Sequence, residues 1–147
     1  KAIFPALNRW EFTEEDCWQI CRRRRIIVKK VPLIVQGYYG KTLYRKKKRY
    51  FILLDERLEG IEFLRAFLHE IGHTALHEPR GDLDVLYLKR ENAIETKQEV
   101  EADVFMLLAI LPKKRFLELY ETPFDLLHPF TVELLIRRKQ LFEEIGE

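Results

Sequence analysis

Along the chain the spacing of apolar residues changes once, from alternation to a helical period, and that change divides the molecule. Thr13-Glu14-Glu15-Asp16 predicts a helix start, because a Thr cap is followed by acidic residues that meet the positive end of the helix dipole. Trp18, Cys21 and the stem of Arg25 are expected on one face, with Arg22 to Arg25 closing the helix near its negative end. Ile26-Ile27-Val28 is β-branched and reads as a strand that Pro32 ends. Leu33 to Tyr39, Lys41 to Tyr44 and Arg49 to Leu54 then suggest a small twisted antiparallel sheet, with Gly37 and Gly40 at turn or bulge positions.

From about Glu59 to Leu76 the period becomes 3.6, with Ile61, Leu64, Leu68, Ile71 and Ala75 on one broad apolar stripe. Glu78 to Asn92 contains Pro79, Gly81 and mixed charge and reads as a long loop or short irregular elements. A second helix is expected from about Ile94 to Leu111, stopped by Pro112. Two more are expected around Lys113 to Tyr120 and Thr131 to Ile145. The expectation is an α+β fold in one domain over residues 1–147: a small sheet packed on a helical body, a core at about 13–112, and C-terminal helices over 113–147.

Composition adds location and charge. The chain has 147 residues, 47% apolar and 34% charged, which fits a single globular domain rather than a disordered chain. No apolar run reaches the roughly 18 residues of a membrane span, and Lys1-Ala2-Ile3-Phe4-Pro5 shows no signal-peptide core. Two cysteines, Cys17 and Cys21, offer no disulfide framework, so the expected compartment is the cytoplasm. The net charge of +2 hides an asymmetry: Cys17 to Leu54 holds twelve basic residues and no acidic one, leaving fourteen basic against twenty-four acidic elsewhere. Such a basic lobe, with Arg45, Lys46, Lys47, Lys48 and Arg49 as its densest run, suits contact with nucleic acid or an acidic partner; it equally suits the blunting of exposed strand edges.

The chemistry lies in His69-Glu70-Ile71-Gly72-His73, an H-E-x-x-H inside the helix expected from Glu59 to Leu76. Residues four apart differ by about 40° around a helix, so both imidazoles project from one face and can reach one Zn²⁺. Glu70 can then reach a water on the metal, as a base, rather than the metal itself. Gly72 costs about 1 kcal/mol against Ala in a helix interior. That cost makes sense where a neighbour needs close approach. Four histidines in the chain rarely produce this motif by chance, and its apolar setting would penalise two unpartnered imidazoles.

A third ligand is expected from the second helix, which offers Glu99, Glu101 and Asp103. Glu99 and Asp103 are i and i+4, on one face; the natural division puts Glu99 on the metal and Asp103 behind a ligand histidine, where it fixes the tautomer. Glu101 is the competing ligand. Val100, Val104, Leu107 and Leu108 are expected to form that helix's buried stripe. His77 does not fit the longer three-histidine pattern and is expected to serve as a helix-end cation or a hydrogen-bonding group. His128, beside Pro129, is expected at the surface or as a cap, with approach to the cleft as its alternative role.

The stretch Leu64 to His77 resembles the zinc helix of the ImmA/IrrE metallopeptidases, and Glu99 to Pro112 resembles the second helix of that family. The order of elements from about Thr13 to Pro112 is similar too. Asp103 stands where the family often has Asn, Met106 replaces a small residue and Ile110 a usual Leu. The resemblance implies a gluzincin-like zinc endopeptidase with one Zn²⁺ held by His69, His73 and Glu99 and with Glu70 as base. It also implies a helix-turn-helix repressor or similar regulator as substrate, cut in a stress or mobile-element response. Substrate would lie extended against a sheet edge supplied by the residues between Leu33 and Leu54. The alternative is a non-proteolytic regulator, stabilised by zinc, that binds a repressor or DNA through the basic lobe.

Overall fold

The computed structural model describes residues 6–33, 38–45, 49–77, 84–89 and 97–146; of residues 45 and 84–89 it describes the backbone alone. Helix α1 spans Glu14–Arg24, and Thr13 caps it in a capping box: the Asp16 amide donates to Thr13 Oγ1 at 3.2 Å, and Thr13 N donates to Asp16 Oδ2 at 2.8 Å. Cys17 and Cys21 face the core, and Trp18 sets its ring edge-on to Phe67 with centroids 4.9 Å apart. Arg25 does not share that face. It ends the helix in the left-handed conformation at φ 57° and is exposed.

Strands β1 (Ile27–Val31), β2 (Tyr38–Arg45), β3 (Arg49–Asp55) and β4 (Asp84–Lys89) form one sheet in the order β1-β3-β2-β4. The sheet is mixed rather than all antiparallel: β2 pairs antiparallel with β3 and β4, whereas β1 runs parallel to β3. The cause is connectivity. The β2–β3 hairpin inserts β3 between β1 and β2, so the link after Pro32 must pass the end of β3 instead of making a hairpin. Buried Asp55 holds that link, accepting from Leu33 N at 2.7 Å and from Arg57 N at 2.9 Å. β4 falls within the stretch expected to be irregular. The strand expected from Leu33 to Tyr39 is described only at its ends, with Leu33 outside the sheet and Tyr38 opening β2; Gly37 lies outside the described residues. The β2–β4 register shifts between Tyr38 and Gly40, a bulge beside Gly40.

Side chains alternate across strands, so Gly40 and Thr42 share a face with their β3 partners Leu54 and Ile52. That face meets helix α2 (Gly60–Leu76). The expectation of a one-sided stripe is too modest here: residues 66 to 74 of α2 are buried all round, because the sheet covers one side and helix α3 (Lys97–Ile110) the other. Burying a ring such as Phe67 contributes about 1.5–3 kcal/mol. On α3, Leu107 is buried as expected, but Val100 is 45% exposed and Val104 and Leu108 are half-buried; Ala102, Phe105, Met106, Ala109 and Ile110 complete the buried face. The close α2–α3 approach explains this: a Cβ on Gly72 would stand 3.1 Å from Phe105 Cδ1.

Helices α4 (Lys113–Tyr120) and α5 (Pro129–Ile145) follow, close to the expected bounds. Arg138 of α5 is fully buried over the Phe116 ring, donating from Nε to Leu111 O at 2.7 Å and from a guanidinium nitrogen to Asn8 Oδ1 at 3.0 Å. Among the described residues, no helix is long and apolar enough to cross a membrane.

Candidate metal centre

His69 and His73 lie one turn apart on α2, and their rings meet edge-on with centroids 4.9 Å apart. Glu99, in the first turn of α3, brings one carboxylate oxygen to each: Oε1 is 2.9 Å from His69 Nε2 and Oε2 is 3.3 Å from His73 Nε2. One ligand atom from each of the three residues falls within 4.8 Å of the others, so the three could hold one metal ion. Glu101 takes no part in this cluster. It sits across the helix, where its Oε1 is 2.9 Å from His77 Nε2.

The groups behind the cluster determine what it needs. Asp103 Oδ1 is 3.3 Å from His69 Nδ1, and Arg137 of α5 pairs with the other carboxylate oxygen. A carboxylate only accepts, so His69 donates from Nδ1, and neutral His69 then turns the lone pair of Nε2 toward Glu99 Oε1. Two acceptors facing each other at 2.9 Å need a proton or a metal ion between them. Two imidazole nitrogens and a carboxylate oxygen are a donor set that Zn²⁺ takes, so the residues fit such an ion. With protons in that place, the burial of Glu99 is outweighed by hydrogen bonds and charge from His69 and His73, which pull its carboxyl down to about 2; a metal ion would take over the same role.

Glu70 is fully buried between α2 and β2. Thr42 Oγ1 donates to Glu70 Oε1 at 2.5 Å and lies 3.3 Å from the Glu70 carbonyl oxygen. Glu70 Oε2 has no hydrogen-bond partner among the described residues. Burial pushes this carboxyl up to about 8, against the downward pull of His69 and of the Thr42 hydrogen bond. Gly40 on the same strand lets the carboxyl approach closely: a Cβ there would stand 3.0 Å from Glu70 Oε2.

His77 makes hydrogen bonds at the helix end, and His128 keeps its expected place at the surface as a cap. His77 is buried at the C-cap of α2, its Nδ1 3.0 Å from His73 Nδ1, and burial pulls its pKa down. His128 is exposed and caps α5, accepting from Phe130 N at 3.0 Å. Lys46, Lys47 and Lys48 and the side chain of Arg45 lie outside the described residues; Arg49 is exposed at the start of β3. The stretch Leu33 to Leu54 does not supply the free edge beside the site. Among the described residues β2 is internal, and β4 is the edge on that side. Thr42 and Gly40 were missed by sequence reasoning, since nothing local marks a strand residue as the neighbour of Glu70. An apolar groove of about 360 Å³ borders Glu101, Leu76 and Val100 but is lined by none of His69, Glu70, His73 or Glu99.

Fold and site together define an α+β domain with a helix-borne cluster suited to a metal ion. The chain belongs to the Peptidase_M78 family, the IrrE N-terminal-like domain, whose family model matches residues 24–143. It therefore carries a metallopeptidase-type domain, and its substrate class is protein. No curated protein and no solved structure matches the chain significantly.

Proposed function

We propose that this chain is a zinc-dependent endopeptidase that cuts a regulatory protein, of the helix-turn-helix repressor kind, with His69, His73 and Glu99 as ligands and Glu70 as general base. The observation that carries the reading is the pair of imidazole nitrogens facing the two oxygens of Glu99, at 2.9 and 3.3 Å, one residue from a buried glutamate. When bound, Zn²⁺ supplies Lewis acidity, lowering the pKa of water and polarising the scissile carbonyl.

The chain's own groups do the rest. Thr42 occupies Glu70 Oε1, so Oε2 is the oxygen left to take a proton from water and return it to the leaving amine nitrogen. Burial raises the proton affinity of Glu70 above that of a solvated carboxylate, which suits a group that takes and returns a proton. Asp103 and Arg137 hold the His69 ring, which keeps its Nε2 aimed inward. Edge strand β4, one strand beyond Gly40 and Thr42, is our candidate for pairing with an extended substrate. Exposed Arg22, Arg23, Arg25, Lys29, Lys30 and Arg49 would favour an acidic or DNA-bound substrate through long-range attraction.

The test is zinc analysis with peptide cleavage on wild type, Glu70→Gln, Glu99→Ala and Glu101→Ala. We expect one zinc per chain, lost with Glu99→Ala and kept with Glu101→Ala. Glu70→Gln should keep zinc and lose cleavage by about 10²–10⁴-fold. Zinc with no cleavage of any repressor or casein, in wild type and Glu70→Gln alike, would favour the non-proteolytic regulator.

A further inference from the structure

His77 is buried, yet the peptidase chemistry gives it no task. Its Nε2 is 2.9 Å from Glu101 Oε1 and its Nδ1 is 3.0 Å from Nδ1 of His73. The proton positions follow from these two contacts. Glu101 only accepts, so His77 donates from Nε2 and keeps a lone pair on Nδ1. His73 then donates from its own Nδ1, which leaves the lone pair of His73 Nε2 pointing toward Glu99 Oε2, 3.3 Å away.

The ring is held at its backbone as well. His77 N donates to His73 O at 3.1 Å, and Tyr50 on β3 donates its hydroxyl to His77 O at 3.1 Å. His69 is oriented directly by a carboxylate, Asp103; His73 has an imidazole in that place, with a carboxylate behind it. Glu101 is 43% exposed, so this second arm runs from the buried cluster to solvent.

We propose that His77 is a positioning residue for His73, and that Glu101, His77 and His73 form a relay that fixes the tautomer and ring orientation of the second histidine of the motif. The proposal rests on His69, His73 and Glu99 being the ligands. Glu101, the competing ligand on sequence grounds, acts through His77 rather than on the metal.

The experiment measures zinc affinity by competition with a chromophoric chelator, on metal-free wild type and variants, together with ¹⁵N spectra of the imidazoles in the zinc-loaded protein. His77→Phe keeps a ring but no acceptor, and should weaken zinc binding by about 10–100-fold. His77→Asn puts an amide oxygen near the Nδ1 position and should recover most of that loss. The spectra should show His77 protonated on Nε2 and His73 on Nδ1. Glu101→Ala, at a half-exposed position, should weaken zinc by a smaller factor and shift the His77 Nε2–H resonance.

Wild-type affinity in folded His77→Phe, or a His77 protonated on Nδ1, would overturn the relay. Should His77→Phe fail to fold, unchanged affinity and an unmoved resonance in Glu101→Ala would overturn it instead. His69→Ala and Glu99→Ala separate the two readings. If both lose zinc while His77→Phe does not, the relay alone is wrong; if both bind as wild type does, the ligand assignment fails and the relay with it.

Discussion

Thr42, on an internal strand, donates a 2.5 Å hydrogen bond to Glu70 on the helix packed beneath it. Both side chains are buried, so the bond has no competition from water. Thr42→Val keeps the shape and removes the donor, leaving a buried carboxyl without that partner. We expect a loss of about 1–3 kcal/mol in stability. Displacing the base should also cut peptide cleavage by up to about 10²-fold. Thr42→Ser should restore both; thermal melting and kcat, read side by side, check it. A Val variant that cleaves like wild type would show that the hydroxyl does not position Glu70.

Gly72 lies against Phe105, with three ring or Cβ atoms 3.1–3.2 Å from where its own Cβ would be. Alanine gains about 1 kcal/mol in helix propensity. Overpacking costs about 1–3 kcal/mol, and Phe105 is buried and has little room to yield. Gly72→Ala should therefore destabilise by about 1 kcal/mol net. Trimming the ring with Phe105→Leu in the same chain should turn the effect of Ala toward stabilising. Chemical denaturation of the four-member cycle gives the answer.

Cys17 and Cys21 are buried, and loss of hydration pushes both thiols up, Cys21 to about 12. The thiolate is the reactive form, so neither should be alkylated by iodoacetamide in the native protein at pH 8, while both should react in denaturant. Mass spectrometry of the labelled chain decides this. Rapid labelling of the native protein would mean that α1 opens away from the core.

Asp16 is held below its ordinary value of 3.8: burial works the other way, but hydrogen bonds from Thr13 N, Thr13 Oγ1 and Trp10 Nε1 outweigh it. A lowered folded pKa contributes stability that is fully present above the unfolded value and is lost as pH falls through the folded one. Wild type should melt above Asp16→Asn at pH 6, and the gap should close well below pH 3.8. Thr13→Ala should cost about 1 kcal/mol at pH 6. A gap that persists unchanged in acid would mean that the cap does not depend on the charge.

The helices were the legible part of this chain, because their signals are local. Thr13 with Asp16 marks one start, Pro112 one stop, and the 3.6 period carries α2 through His69 and His73. That Glu99 and Asp103 share one face of their helix was legible too, since helical spacing fixes it; which face meets the histidines depends on packing that spacing does not reveal. What was hidden depends on contacts distant in sequence. The parallel pairing of β1 follows from where a later hairpin inserts, and β4 shows only a Val-Leu-Tyr-Leu core between charged residues. The burial of Arg138 depends on Leu111 and Asn8, and that of Thr42 on a helix twenty-eight residues away.

The ion pair between Arg137 and Asp103 ties the cluster to the order in which the chain is made. His69, His73, Glu99 and Asp103 all leave the ribosome before α5 does. Until that helix docks, Asp103 lacks the guanidinium that offsets its burial, and the His69 ring lacks its settled support. Helix α5 thus acts as a completion signal: the centre matures only once that helix has been made, and a chain interrupted at Tyr120 would carry all three candidate ligands yet hold them loosely.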